Sequence, residues 1–280
     1  MSPPMAATAK HSEQDYVLGT HDAEIERLGL QHRVWRPRAL DAWRRAGFTV
    51  GQTLLDIGCG PGYATIDLAE IVGPKGRIVA IDRSHRFLQT LEAARERLSL
   101  PQIESFELDL DESPLPAIQA DGAWSRWVFA FVTRPRDLLA RVARVIKPGG
   151  ALVLHEYFDY STWRFSPRSP EMEELVEIVM KGWRATGGEP DIGLELPGWL
   201  EELGFEVKHL NPLIDVVSPS SFVWQWPKSF VASGLNRLIE LRVLAPERAK
   251  AIADAFAALE AGPRTRMITP AVLEIIAVHR

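Results

Sequence analysis

Apolar residues fall into short runs divided by polar turns, and the clearest run lies at 53–63, TLLDIGCGPGY. Leu54, Leu55 and Ile57 make it long enough for a buried strand. Glycines then take alternate positions, Gly58, Gly60 and Gly62. Ile66, Leu68, Ala69 and Val72 follow at helical spacing. The predicted unit is a strand, a tight glycine turn and a helix. Such a unit exposes backbone N–H groups at the helix N-terminus, above the end of the strand. Glycine suits the turn because a Cβ would block close approach and because some turn positions need positive φ.

The same alternation continues. A second strand is predicted at 77–81, ending in Asp82, and a helix at 84–98 capped by Ser84, with Phe87, Leu88, Leu91 and Ala94 inward. Strands follow at 103–110 and 120–128, the first carrying Asp109 at its end. Pro135 opens a helix with Leu138, Leu139, Val142, Val145 and Ile146 on one side. Lys147-Pro148-Gly149-Gly150 breaks it, and a fifth strand at 151–154 leads to His155, Glu156 and Tyr157. Uninterrupted alternation predicts a parallel sheet covered on both faces. Ahead of it, Asp22 caps one helix, and Pro37 opens a second over 38–46, stopped by Gly47. Beyond it the alternation lapses. A helix is predicted near 171–183 and another at 197–203, then a strand at 205–210. A mostly helical stretch covers 218–266, and a last apolar strand 271–278. The excursions exceed ordinary connections and are rich in aromatics, which suggests a cap over the sheet.

Composition narrows the class. The 280 residues suffice for one large domain, and 46% hydrophobic with 25% charged residues is ordinary for a globular chain. The net charge of −5 and the lack of a long basic run argue against nucleic acid as partner. No apolar run approaches the roughly 18 residues of a membrane span. Cys59 is the sole cysteine, so no intrachain disulfide can form, and a cytoplasmic location is expected. Residues 1–10 lack the apolar core of a signal peptide and read as a disordered tail.

The turn selects the chemistry. A nicotinamide or flavin fingerprint would read G-x-G-x-x-G, and Tyr63 stands where its third glycine belongs. The pattern present is D-x-G-x-G-x-G, beginning at Asp56, with Asp82 ending the next strand. An acid there can accept hydrogen bonds from both hydroxyls of a ribose. LLDIGCGPG, VAIDRS and VIKPGG, in this order, resemble the class I S-adenosylmethionine-dependent methyltransferases, in particular the small-molecule branch similar to the quinone-biosynthesis methyltransferases. The resemblance covers about 53–157 and the last strand.

That resemblance implies an α/β fold: a Rossmann-like, seven-stranded, mostly parallel sheet with helices on both faces and a helical cap. Residues 11–280 form one domain in this reading, with an N-terminal lid at 11–47, a cofactor-binding core at 48–157 and cap insertions at 158–196 and 218–270. The implied cofactor is S-adenosyl-L-methionine, leaving as S-adenosyl-L-homocysteine. Asp56 and the Gly58, Gly60, Gly62 turn would hold its amino-acid end. Asp82 would take the ribose, with Arg83 and Ser84 beside the adenine. Asp109 and Leu110 would face the adenine, Arg126 the methionine part. Tyr16, Gln31 and His32 would come from the lid. His155 is a candidate general base and Glu156 a candidate substrate-orienting acid. Tyr160 and Trp183 are candidates for an apolar substrate pocket, with Trp163, Trp224 and Trp226. Packing within the sheet or the cap is the plainer role for each of these. No metal is expected. The expected partner is a small-molecule substrate, with no nucleic acid and no membrane span, and a homodimer is allowed.

Absences narrow the reaction. Ser125-Arg126-Trp127-Val128 stands where an adenine N-methyltransferase would carry an N-P-P-Y-like segment. Cys59 lies in the turn, not where a cytosine-methylating nucleophile would stand. Arsenic methylation needs several cysteines. A small-molecule O-, N- or C-methyltransferase remains. A non-catalytic cofactor-binding or regulatory protein of the same fold is the alternative, and a nucleoside-binding oxidoreductase is disfavoured by Tyr63.

Overall fold

A computed structural model describes residues 21–280. The expected tail at 1–10 and the expected contact of Tyr16 lie outside the described residues. Helix α1 (Asp22–Arg45) leads into strand β1 (Thr53–Ile57), helix α2 (Tyr63–Val72) and strand β2 (Arg77–Asp82). Helix α3 (His85–Leu98) and strands β3 (Ile103–Glu107) and β4 (Ala120–Arg126) follow, then α4 (Pro135–Val145) and β5 (Ile146–Asp159). After β6 (Arg164–Ser166) come α5 (Pro170–Ala185), α6 (Leu196–Glu202), β7 (Phe205–Leu213) and β8 (Val216–Val217). The chain closes with α7 (Gln225–Glu240), α8 (Pro246–Ala261), β9 (Arg266–Ile268) and β10 (Ala271–His279).

Seven strands form one sheet in the order β3-β2-β1-β4-β5-β10-β7. Strands β3 to β5 run parallel, and β10 is antiparallel to both neighbours. The order reverses at β1, between β2 and β4, which is where open α/β sheets bind their ligands. Both faces are covered. Leu54 packs with Trp43, Leu68 and Trp124 on one face. Leu55 and Ile57 pack with Leu139 and Leu154 on the other. Alternate residues of β1 thus enter two cores, which is why its sequence reads as nearly continuous apolar.

Several elements differ from their sequence expectations. The two N-terminal helices are one, continuous through Pro37. Proline there removes an N–H and costs about 3 kcal/mol. Val34, Trp35, Ala39, Ala42 and Trp43 are buried along the same helix. Each large apolar side chain contributes roughly 1.5–3 kcal/mol, so burial outweighs the break. Strand β5 begins at Ile146 and runs to Asp159, well past the expected 151–154. Strand β7 includes Pro212, tolerated because β7 is the sheet's edge. A second sheet, β6-β9-β8, was not expected. Its strands are too short to show a period of two. No helix among the described residues is long and apolar enough to cross a membrane.

Candidate functional site

The turn after β1 forms the floor of a cavity at the carboxyl ends of β1, β2 and β4. Gly58 has φ +66°, and a Cβ there would stand 2.2 Å from Val128 Cγ2, so only glycine fits. At Gly60, with φ +55°, a Cβ would meet nothing within 4 Å, so the backbone is open to a ligand. Asp82, 2% exposed, ties the turn to β2. Its Oδ2 accepts the Gly60 N–H at 2.8 Å and its Oδ1 the Ser84 N–H at 2.9 Å. Asp56 is buried and accepts from the Thr65 hydroxyl at 2.6 Å. Burial pushes its carboxyl up to about 7, against the Thr65 bond and the charge of Arg126. Cys59 is buried in the turn, and burial, with the charges of Asp82 and Asp56, raises its thiol well above the usual range. A thiol so protonated is no nucleophile.

Arg126 ends β4 beside this turn and lines the cavity. Burial lowers its guanidinium to about 10, so it stays charged at neutral pH. Its Nη2 lies 3.4 Å from His32 Nδ1, and its Nη1 is buried without a partner among the described residues. His32 Nε2 in turn meets Asp67 Oδ2 at 3.0 Å, which also accepts from Arg36 Nε at 2.8 Å. Burial lowers the His32 imidazole despite that carboxylate.

Helix α1 supplies one wall. Arg27 donates two 2.7 Å bonds to Glu24 and one of 2.9 Å to the Gln31 side-chain oxygen. All three are buried and line the cavity. Their spacing of three and four puts them on one helix face. The opposite wall is aromatic. Trp127 has φ +53°, a left-handed conformation rare for a bulky residue. Its N–H bonds to the His155 carbonyl at 3.0 Å. Its indole stacks on Tyr157 at 5.2 Å and on Trp226 of α7 at 5.4 Å. Tyr160 and Trp183 close the group, ring to ring at 4.9 Å.

Most expected site residues stand together. Gln31, His32, Asp56, Gly58, Gly60, Asp82, Arg83, Asp109, Leu110 and Arg126 line the cavity, as do Tyr160 and Trp183. Gly62 is the N-cap of α2. His155 and Glu156 are corrected. Because β5 extends past them, both lie inside the sheet, fully buried, and neither lines the cavity. Glu156 accepts backbone N–H bonds from Val128, Phe129 and Ala130 at 2.8, 3.0 and 3.3 Å. Burial raises its carboxyl to about 7 against those three bonds. It shapes the exit of β4. His155 Nε2 is joined to Glu274 Oε2 at 3.1 Å. Trp224 faces Glu260 through its indole N–H at 3.0 Å and is no lining residue. Sequence reasoning missed Glu24 and Arg27, whose spacing to Gln31 was the available signal. It also missed Trp127, which directly follows Arg126 but shows its role only through its left-handed backbone.

A reversed-order, mostly parallel sheet with an acid-clamped glycine turn at its switch point defines a Rossmann-like α/β fold. Residues 55–154 match the family described as a methyltransferase domain. It is 30% identical over 147 residues to the demethylmenaquinone methyltransferase of Oceanobacillus iheyensis, covering 52% of this chain and 60% of that one. The chain spans about half the length of other curated relatives it matches. Among solved structures, an S-adenosylmethionine-dependent methyltransferase from Mesorhizobium loti superposes with a TM-score of 0.53 at 18% identity, covering 89% of this chain and 100% of that one. The [4+2]-cyclase SpnF superposes with a TM-score of 0.55 at 18% identity, covering 86% and 80%.

Proposed function

We propose that the chain is an S-adenosylmethionine-dependent methyltransferase that moves a methyl group to an O, N or C atom of a small molecule. The observation that carries this reading is the open Gly60 backbone clamped by Asp82 at the sheet's switch point, facing an aromatic chamber. The residues suit the cofactor. Asp82 and Arg83 would take the ribose and adenine side, with Asp109 and Leu110. Asp56, the glycine turn, Gln31 and Arg126 would take the amino-acid side. Tyr160 and Trp183 would contact the acceptor. When bound, the cofactor supplies an electrophilic methyl on a sulfonium. The chain's own task is to orient the acceptor in line with that methyl and to exclude water. Helix α1 acts as lid, and the stretches 158–196 and 218–270 as cap.

A second reading is favoured by one observation. His155 and Glu156 stand away from the cavity, so neither moves a proton there. A protein that binds the cofactor without transferring its methyl needs no such group, and the superposition on a cyclase shows that this fold does not fix one reaction. Methyl transfer to an already nucleophilic atom needs no base either, which keeps the first reading ahead. Thermal melting with S-adenosylhomocysteine tests the cofactor, since a ligand of the folded state raises the melting temperature. A shift with NAD and none with S-adenosylhomocysteine overturns both readings. Mass spectrometry of candidate acceptors incubated with enzyme and cofactor separates catalysis from binding through the added methyl.

A further inference from the structure

Arg126 stands between two matching arrangements. On one side Asp67 takes Nε2 of His32 at 3.0 Å, and His32 turns Nδ1 to Arg126 Nη2 at 3.4 Å. On the other, Glu274 takes Nε2 of His155 at 3.1 Å. His155 is the register partner of Arg126 across β4 and β5, and Glu274 that of His155 across β5 and β10, so the three share one face of the sheet. His155 Nδ1 and Arg126 Nη1 are both buried without a partner among the described residues. Each carboxylate is backed by an arginine, Arg36 behind Asp67 and Arg45 behind Glu274. A carboxylate on Nε2 fixes the proton there and leaves Nδ1 as a lone-pair acceptor. His32 thus gives the guanidinium a neutral acceptor that orients it without cancelling its charge, whereas His155 Nδ1 makes no bond to it.

We propose that the Asp67–His32 pair positions Arg126, aiming it at the carboxylate of the cofactor's amino-acid end. This rests on the cofactor reading given above. The sheet order supports the assignment. Asp82 lies on β2, next to β3, so a ribose on Asp82 puts the adenine toward β3 and Asp109. The amino-acid end then extends over β1 toward β4, where Arg126 stands with a buried N–H that is unpaired among the described residues. A planar fork of donors is suited to a carboxylate, and a desolvated guanidinium gains more from an anion than an exposed one does.

The test compares two ligands by titration calorimetry: S-adenosylhomocysteine, and 5′-methylthioadenosine, which lacks the amino-acid carboxylate. His32→Phe keeps a ring against Tyr63 but removes the acceptor. It should weaken S-adenosylhomocysteine by about fivefold or more while leaving 5′-methylthioadenosine within about twofold. Asp67→Asn preserves shape, and carries the same comparison if His32→Phe does not fold. It should lower affinity for the first ligand alone. Equal loss for both ligands marks a merely structural role and overturns the proposal, as does no loss for either. A parent that binds the two equally well also overturns it while leaving the cofactor reading intact. A parent that binds neither overturns the cofactor reading and this proposal with it.

Discussion

Asp82 carries two backbone bonds of the glycine turn before any ligand arrives. Its replacements therefore separate two effects. Asp82→Asn keeps one acceptor oxygen and the shape, and should weaken S-adenosylhomocysteine by about tenfold or more, since a hydrogen bond to a charged group contributes about 1.5–3 kcal/mol. Asp82→Ala should add a drop in melting temperature because Gly60 and Ser84 lose their acceptor. Calorimetry and thermal melting check the pair; an Asp82→Asn protein that binds like the parent removes this residue from the ribose. Asp56 makes a prediction about pH. Its folded carboxyl titrates at about 7, above the ordinary value for an aspartate in an unfolded chain. The native state binds the extra proton in that window, so its contribution to stability declines as pH rises from about 4 to about 7. Glu156 acts in the same direction, and His32 and His155, whose imidazoles are lowered, act in the opposite one. The clean readout is thus the difference between parent and Asp56→Asn. The parent's advantage should shrink across that window, and a difference independent of pH would show that Asp56 does not titrate there.

Elements were legible where a period was long enough to count. The strand, turn and helix at 53–72 read directly because Leu54, Leu55 and Ile57 fill two cores and three glycines mark the turn. The aromatic excursions could be read as mostly helical, and α5, α7 and α8 occupy them. Local breakers misled the rest. Pro37 suggested two helices, but a long buried face overrides one missing hydrogen bond. The Pro-Gly-Gly at 148–150 suggested a late start to β5, but it lies within the strand. That error propagated to the site: a strand thought to end at Leu154 would have presented His155 and Glu156 to the cavity. The spacing of Glu24, Arg27 and Gln31 puts them on one helix face, but their meeting with a turn more than twenty-five residues away is tertiary and has no local signature. Pro37 also gives an element-scale prediction. It is exposed, so Pro37→Ala restores an N–H without disturbing a contact. It should raise the melting temperature by several degrees, at about 2–4 °C per kcal/mol for a chain of this size. A lowered temperature would mean that the local bend imposed by proline fits α1 to the sheet.

At the scale of the whole molecule, two parts of the chain far apart in sequence meet over the cavity. Helix α1 packs on α7, and α7 on α8, which packs on α5. Trp226 of α7 rests on Trp127 from the exit of β4, and on Trp35 of α1 at 4.9 Å. If these pieces close over a bound acceptor, hydrogen exchange over 158–188 and 218–266 should slow when S-adenosylhomocysteine and acceptor are both present, and less with S-adenosylhomocysteine alone. Trp226→Ala should cut turnover by about two- to tenfold while leaving S-adenosylhomocysteine binding within about twofold, because a buried aromatic pair is worth about 0.5–1.5 kcal/mol beyond its area. Equal protection in all states, with activity surviving the substitution, would make these segments scaffold.

The meeting of Trp35, Trp127 and Trp226 also gives the chain an optical signature. Their ring centroids are 4.9, 5.1 and 5.4 Å apart, two pairs edge to face and one stacked. Chromophores so close and so differently oriented share their excited states, and their absorption becomes chiral. The near-ultraviolet circular dichroism of this protein should carry a two-signed band from the triad, unlike the weak signal of its outlying indoles such as Trp199. Trp226→Phe should remove the part carried by its two pairs and leave that of Trp35 with Trp127 and of Trp43 with Trp124. An acceptor that slides between Trp127 and Trp226 should dim it in proportion to occupancy, so the molecule would report its own substrate in an unlabelled screen.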